Sequence, residues 1–397
     1  MSNHQESQER LERARQRCFF FDVDDAAARL CRANVAFGLA KIHWLQEKLG
    51  IEPDATYVST PDSTVTRNID RWTSGFGYGG VFQWSGRVMP LELKPNCCGM
   101  LAAGLEEVSS VEEVTRTVAR LAETTLRVDG VAAQWDMHRG NHFINLYRVG
   151  DPSATSGHPY LVIMHSSGSE FRGPNLRGPG LYMSVAGEGL AAIAERWDTP
   201  FGPIAFLRDD AADDYVAYVA MVDAFAKARR EAYVRAIFGD VAHVLFNETH
   251  QGLDGAGRML LGCYSTTSLR AAWVPMTLRP DLPAYLIAPD EVYGEAALDR
   301  AGVRAQAVGQ GCVERVKGAS VLPHGGGYAF PAFEGMDVEV RAEGAVRRFR
   351  FGGEGEWVEH VRGLPYAYRA NEVVDRLTGL GAGRVVTELQ ILQRLEG

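Results

Sequence analysis

The longest periodic pattern in the sequence is helical and covers residues 213–238. Apolar residues recur there at helical spacing, and Gly239 follows the last of them. A second helix is predicted within residues 24–50. A third is predicted to begin at Ser110, where Glu113 completes a capping-box pattern. We expect the apolar faces of these helices to lie in the protein core.

Short runs rich in branched and aromatic residues separate these helices and predict strands. The runs cover residues 142–149, 160–165, 259–264 and 384–392. Helices and strands are therefore interspersed, but without a regular βαβ rhythm. We predict an α+β fold rather than a doubly wound parallel sheet. The 397 residues contain no Ser/Pro-rich or charge-block linker, which favours one compact unit.

Charge and cysteine usage limit the class of protein. The net charge of −9 argues against a broad basic surface for duplex nucleic acid, although a local basic groove remains open. Six cysteines without a CxxC motif, in a chain of this length, indicate a reducing compartment. The polar N-terminus and the lack of a long apolar run predict a cytoplasmic protein with no membrane partner.

Two glycine-rich motifs invite familiar interpretations. Gly75, Gly77 and Gly80 spell GxGxxG, but a strand-like run follows them where a dinucleotide site needs a helix, so we predict a glycine turn. Residues 324–327 read HGGG, as in the oxyanion loop of lipases, yet no GxSxG nucleophile follows. This absence argues against a serine hydrolase. Two interpretations of HGGG stay open: a surface turn, or a loop whose backbone approaches a phosphate beside His324.

Histidines supply the next candidates. His138 and His142 are four residues apart, but Gly140 and Asn141 separate them and the HExxH glutamate is missing, which argues against a zincin site. We expect His142 to begin a strand and at most one of the pair to bind a metal.

One cysteine and three histidines form a possible ligand set. Cys98, His142, His165 and His250 each lie at the predicted end of an element or in a loop. Singly, each is more typical of a satisfied polar residue than of a ligand. Together, one thiolate and three imidazoles suit a borderline divalent metal such as Zn²⁺, Mn²⁺ or Co²⁺.

The order and flanks of several short segments, from about Gly75 to the C-terminus, resemble the RtcB-type RNA ligases, metal-dependent enzymes that join RNA ends through a nucleotidyl-histidine. The segments are PNCCGM at 95–100, GNHF at 140–143, MHSSGSEFRG at 164–173, the helix carrying Arg229 and Arg230, HQ at 250–251, HGGGY at 324–328 and LPYAYR at 364–369.

The resemblance implies a single large domain of mixed sheets surrounded by helices. Residues 75–397 would form the catalytic domain, and residues 1–74 an N-terminal helical region packed on it. It further implies that His324 carries the nucleotide and that one ion, Mn²⁺ or else Zn²⁺ or Co²⁺, binds the cysteine and the three histidines. The implied partners are a nucleoside triphosphate, GTP in the family, and RNA ends. The implied nucleotide contacts are Asn141, Asn145, Arg172, Tyr368 and Glu396.

Departures from the family pattern leave alternatives open. Pro95 stands where the family has an aspartate that bridges two metals, so a second metal would need Glu92, Asp136 or Cys97 as a substitute. Two other changes, Asn145 for a glutamate and Glu396 for a lysine, predict a base preference other than guanine.

The acceptor is open for the same reason. A divergent relative could nucleotidylate a small metabolite instead of RNA. A third hypothesis is a non-catalytic protein of the same fold that binds a metal or a nucleotide.

Overall fold

The computed structural model describes residues 3–395 except 109, 138–139, 186, 280 and 344–345, with backbone only for Asn3, His4 and Val111. The helices are α1 Asn3–Gln16, α2 Ala26–Lys48, α3 Ile69–Ser74, α4 Val111–Ala122, α5 Gly189–Ile193, α6 Asp209–Phe238, α7 Glu295–Ala301, α8 Arg304–Gly309, α9 Val313–Lys317 and α10 Glu372–Leu380.

The strands of the first half of the chain are β1 Cys18–Phe19, β2 Thr56–Thr64, β3 Tyr78–Gln83, β4 Val88–Pro90, β5 Cys98–Leu105, β6 Leu126–Val128, β7 Val131–Ala133, β8 Phe143–Val149, β9 Tyr160–Ser166, β10 Glu195–Thr199 and β11 Gly202–Arg208. Those of the second half are β12 His243–Leu253, β13 Arg258–Leu261, β14 Cys263–Ser265, β15 Val274–Met276, β16 Ala284–Pro289, β17 Val321–Pro323, β18 Tyr328–Ala329, β19 Val338–Glu343, β20 Val346–Phe351, β21 Ala367–Tyr368 and β22 Gly383–Arg394.

Eleven of these strands form one sheet in the order β1-β2-β3-β13-β12-β5-β9-β8-β22-β16-β15. Its pairs are antiparallel except for β1 and β2. Side chains of a strand alternate between the two faces, and central β5 is buried on both: Leu101 joins one apolar cluster and Met100 the other. Because the sheet is almost entirely antiparallel and helices pack on it without a regular βαβ order, the α+β prediction is confirmed.

Helix α6 crosses the middle of the sheet and packs on β12, β5 and β9. Its 30 residues span about 45 Å, and it begins at Asp209, four residues before the predicted start. Arg229 and Arg230 are fully buried on it, next to the strands that carry the candidate ligands. The helix therefore forms the floor behind the candidate site.

The predicted strand over residues 259–264 is wrong in one respect, because the chain breaks it at Gly262. This glycine has a φ of 75°, and a Cβ there would collide with the ring of Tyr78. The segment therefore leaves the large sheet after β13 and continues as β14, which pairs with β17 in a separate two-stranded sheet.

Residues 1–74 were predicted to form a helical region, but they also contain strands. Strands β1 and β2 belong to the large sheet, and β2 pairs with β3 across the predicted boundary. The two regions thus share one sheet and one core.

Among the described residues, no helix is both long and apolar enough to cross a membrane. The six cysteines are buried and free of disulfide bonds.

Candidate functional site

Four neighbouring central strands bring the candidate ligands together along the edge of the sheet where these strands begin or end. Cys98 is the first residue of β5, His165 is the last but one of β9, and His142 comes directly before β8. Because these strands are antiparallel neighbours, the start of β5 lies beside the end of β9, which in turn lies beside the start of β8.

His250 reaches the same place through an irregularity in β12. The pairing of β12 with β5 shifts register between Thr249 and Gln251, so His250 is the extra residue of a β-bulge. A bulge redirects a side chain locally, which is why bulges are frequent beside functional sites.

Three ligand atoms converge in the core. The distance from Cys98 Sγ to His165 Nε2 is 2.9 Å, and that from His165 Nε2 to His250 Nε2 is 3.1 Å. All three atoms lie within 4.8 Å of one another, and their side chains are buried. His142 Nε2 stands slightly apart, 4.0 Å from Cys98 Sγ. We call Cys98, His165 and His250 the three-ligand cluster.

The outer nitrogens of two histidines have partners that orient the rings. His165 Nδ1 lies 2.6 Å from the backbone oxygen of Asn141 and donates to it, so Nε2 is the ring nitrogen that faces the cluster. His142 Nδ1 lies 3.1 Å from Asp136 Oδ2. Such outer contacts are typical of metal-binding histidines.

The electrostatics of the cluster favour a thiolate. Burial alone would raise the pKa of Cys98, but the charge of His165 and hydrogen bonds from His142, His165 and His250 hold it well below its usual range. For His142, burial is outweighed by Asp136 and Cys98, which raise its pKa to about 9. The thiolate is the form of cysteine that binds a metal.

A buried ion-pair network lies behind His142. One oxygen of Asp136 faces His142, and the other lies 2.6 Å from Nη2 of the fully buried Arg229, which also pairs with Glu170 at 3.0 Å. Burial opposes ionisation of Asp136, yet His142 and Arg229 keep its pKa well below the usual range. Asp136 is therefore placed to orient His142.

None of the three possible substitutes for the missing aspartate joins the three-ligand cluster in the described structure. Both oxygens of Asp136 are engaged. Glu92 accepts a hydrogen bond from the backbone nitrogen of Ala205 at 2.7 Å, and Cys97 Sγ lies 3.7 Å from the carbonyl of Val219 in α6. The geometry therefore offers one obvious metal position rather than two.

His324 lies directly beside the cluster. Its ring centroid is 4.4 Å from that of His250, and the ring of Tyr78 meets it edge-on. His324 Nδ1 is 3.1 Å from Oδ2 of Asp62, a fully buried carboxylate whose other oxygen accepts from the Thr60 hydroxyl at 2.5 Å. With the Nδ1 proton donated to Asp62, His324 Nε2 keeps a free lone pair.

The three glycines after His324 form a packed loop. A Cβ at Gly325 would lie 2.6 Å from the carbonyl oxygen of Thr277, and one at Gly326 would lie 2.6 Å from that of Arg369. The surface-turn interpretation of HGGG is wrong, because Gly325 and Gly326 are buried. Close contacts with the chain's own backbone explain why these two positions are glycines. That a phosphate approaches this loop stays a prediction.

The predicted nucleotide contacts are spread around this centre. Asn141 is exposed and contributes its backbone carbonyl to His165. Asn145 lies on β8 opposite Ile163, on the same sheet face as His165, and its amide donates to the hydroxyl of Tyr147 at 3.1 Å.

Of the other three predicted contacts, two belong to the described residues and one does not. Arg172 is exposed. Tyr368 pairs with Tyr328 across β18 and β21, and their ring centroids are 5.1 Å apart, so an aromatic neighbour already contacts the expected base platform. Glu396, like His138, lies outside the described residues.

Sequence reasoning missed Asp62 and the orienting role of Asp136. Asp62 lies in the run STPDST, whose proline and hydroxyl residues are typical of a loop, yet all nine residues of β2 are buried. A single carboxylate within a run of serines and threonines was the available signal, and it is a weak one.

Compared with known proteins, the chain matches no protein-family model and no curated sequence. The likeness to the RtcB-type ligases therefore rests on the short segments of the sequence.

Proposed function

We propose that the protein is a metal-dependent nucleotidyltransferase or ligase in which His324 carries the nucleotide, as the resemblance to the RtcB-type ligases implies. The observation that carries the proposal is the placement of His324. Its Nδ1 faces a buried carboxylate and its ring lies against His250 of the three-ligand cluster. A histidine so oriented has the form of an activated nucleophile.

The residues present fit a metal ion. One sulfur and two imidazole nitrogens converge, the lowered pKa of Cys98 favours the thiolate, and the Asn141 carbonyl directs Nε2 of His165 at the cluster. His142 is close enough to serve as a fourth ligand after a small shift and the loss of its Nε2 proton to solvent. This donor set suits Zn²⁺, or Co²⁺, by its chemistry, whereas the resemblance alone favours Mn²⁺. A bound ion would supply positive charge for the phosphates of a nucleotide.

In the first step, His324 Nε2 attacks the α-phosphorus of a nucleoside triphosphate. A P–N bond forms, the bond from that phosphorus to the bridging oxygen breaks, and pyrophosphate leaves with the electron pair. The Nδ1 proton stays donated to Asp62, whose negative charge stabilises the positive ring that develops.

In the second step, an acceptor oxygen attacks the same phosphorus, and the P–N bond breaks to return the electron pair to His324. If the acceptor is a 3′-phosphate of RNA, a 5′-hydroxyl then attacks the activated end and nucleoside monophosphate leaves. Asn141 and Arg172 are the proposed phosphate contacts. Asn145, Tyr368 and Glu396 are the proposed contacts to the base.

The proposal is tested by incubating the protein with each nucleoside triphosphate, radioactively labelled at the α-phosphate, in the presence of Mn²⁺ or Zn²⁺. The denatured wild-type protein should retain label that acid removes and alkali does not, as expected of a phosphoramidate. His324→Ala should retain none. His158→Ala is a matched control, because His158 is also buried and its Nδ1 lies 2.8 Å from the carboxylate of Glu106.

Each failure has a distinct meaning. Undiminished labelling of His324→Ala would refute the assigned nucleophile. A wild-type protein that binds metal but acquires no label would favour the non-catalytic alternative. Salt-dependent binding of RNA would separate an RNA acceptor from a small metabolite.

A further inference from the structure

Two buried cationic side chains, one on α2 and the other on β20, lie close to the start of β11. Lys41, on α2, is 1% exposed and its Nζ donates to the carbonyl of Pro203 at 3.1 Å. Arg347, on β20, is 2% exposed and its Nη2 donates to the carbonyl of Phe201 at 2.9 Å. Both cations thus bind the same short stretch of chain at the start of β11.

Aromatic rings form part of the surroundings of this pair. The Arg347 guanidinium lies 5.0 Å from the ring centre of Phe37, one helical turn before Lys41, and Lys41 Nζ lies 5.6 Å from the ring centre of Phe76. Aromatic faces attract cations, but they replace hydrogen-bond acceptors poorly.

Arg347 has buried donors without an acceptor. Its Nε and Nη1 are inaccessible to solvent and contact no hydrogen-bond acceptor among the described residues. Buried donors of native proteins are almost always paired, and an unpaired charged group is the most costly exception. Something outside the described chain is expected to complete these contacts.

The charges around the pair do not balance. Glu92 is the acidic group whose charge acts on Lys41. One of its oxygens accepts from the backbone nitrogen of Ala205, and the other is buried without a hydrogen-bond partner among the described residues. Two cations and one carboxylate leave a surplus of one positive charge in the protein interior. A neutral lysine would also remove the surplus, and it would leave the donors of Arg347 unpaired.

We propose that a small inorganic anion binds between Arg347 and Lys41, accepting from one of the two unpaired edges of the Arg347 guanidinium and from Nζ of Lys41. Lys41 and Arg347 are almost inaccessible to solvent, so an anion bound between them would be enclosed by protein. Chloride and inorganic phosphate share the required chemistry, and the site is independent of the proposed nucleotidyl transfer.

The test measures the thermal unfolding midpoint of the full-length, metal-loaded protein at constant ionic strength. Gluconate, which is too bulky for the site, is replaced stepwise by chloride in one series and by phosphate in another. A bound anion raises the midpoint saturably. In Arg347→Gln the apparent affinity should fall at least tenfold, since a charged hydrogen-bond partner is lost. Arg348→Gln, a half-exposed neighbour on the same strand, should behave as the wild type.

The series that saturates identifies the anion. An equal midpoint in all electrolytes, or the same saturable rise in Arg347→Gln, would overturn the proposal. Should Arg347→Gln fail to fold, wild-type crystals soaked in bromide decide. Anomalous density between the Arg347 guanidinium and Nζ of Lys41 supports the site, and its absence after soaking refutes it.

Discussion

The three-ligand cluster and the Lys41–Arg347 pair are both buried, polar and enclosed, yet their atoms have opposite character. At the cluster, a cysteine sulfur and two imidazole nitrogens converge, and all three can donate an electron pair to a metal once deprotonated. At the pair, ammonium and guanidinium groups converge, and both offer only N–H groups. Burial alone therefore says little about what a polar centre binds.

The difference lies in which partners are missing. Around the cluster, Asp136 has Arg229, His165 has a carbonyl and His324 has Asp62, so what is lacking is positive charge at the point where the lone pairs meet. At the pair, Arg347 lacks acceptors for two of its nitrogens. The first centre is suited to a cation and the second to an anion, and the following predictions can break or sharpen that contrast.

The largest effect is expected from Cys98→Ala. Elemental analysis of the purified wild type should find one transition metal per chain, and the variant should lose nearly all of it, because the single anionic ligand is gone. Cys97→Ala is the matched control, since Cys97 Sγ points to a carbonyl of α6. Full metal content in both Cys98→Ala and His165→Ala would place the metal elsewhere.

The next largest effect concerns Asp62. Asp62→Asn should keep the ring of His324 in place but remove the charge that stabilises it, so the single-turnover rate of adduct formation should fall about 10²- to 10⁴-fold. Asp22→Asn provides the control, because Asp22 is equally buried but pairs with Arg32. A wild-type rate in metal-loaded Asp62→Asn would contradict the assigned role.

A smaller effect is expected from Asp136, which contacts His142 rather than the three-ligand cluster itself. Asp136→Asn should weaken metal binding about 10- to 100-fold, measured by competition with a chelator, because His142 loses the carboxylate that orients it. Glu170→Gln, which alters the same Arg229 without touching His142, should change the affinity much less. Equal losses in the two variants would mean that general stability, not the orientation of His142, sets the affinity.

Much of the fold could be predicted because its signals are local. Helical spacing located α2 and α6, and the capping pattern at Ser110 is present, with its hydroxyl accepting from the Glu113 nitrogen. Strand β2 was missed because its polar residues are buried by the layers above and below it. No short window of sequence contains that information.

The candidate site divides in the same way. Residue type and the family-like order pointed to Cys98, His165, His250 and His324, which the structure brings together, while their function stays a prediction. Asp62 could not be found, because its partner His324 is 262 residues away. Long-range pairing of this kind follows from the sheet order, which one sequence does not reveal.

The smallest effect separates the two ways of removing the surplus charge at Lys41. Burial and the charge of Arg347 on β20 lower the pKa of Lys41 to about 7, against the opposing charge of Glu92 and an ordinary value of 10.5. Because the folded pKa is the lower one, the unfolded chain binds more protons between pH 7 and 10.5. The stability is complete above that range and is lost as the pH falls towards 7.

In gluconate, the free energy of unfolding of the wild type, minus that of Lys41→Met, should rise with pH by at most about 1.4 kcal/mol per unit. A bound anion stabilises the charged lysine, so saturating chloride or phosphate should flatten the slope. Denaturant unfolding at pH 7, 8 and 9 measures both. A slope that is equally steep with and without the anion would mean that the interior removes its surplus charge by deprotonating Lys41, and the contrast with the three-ligand cluster would then be one of protonation alone.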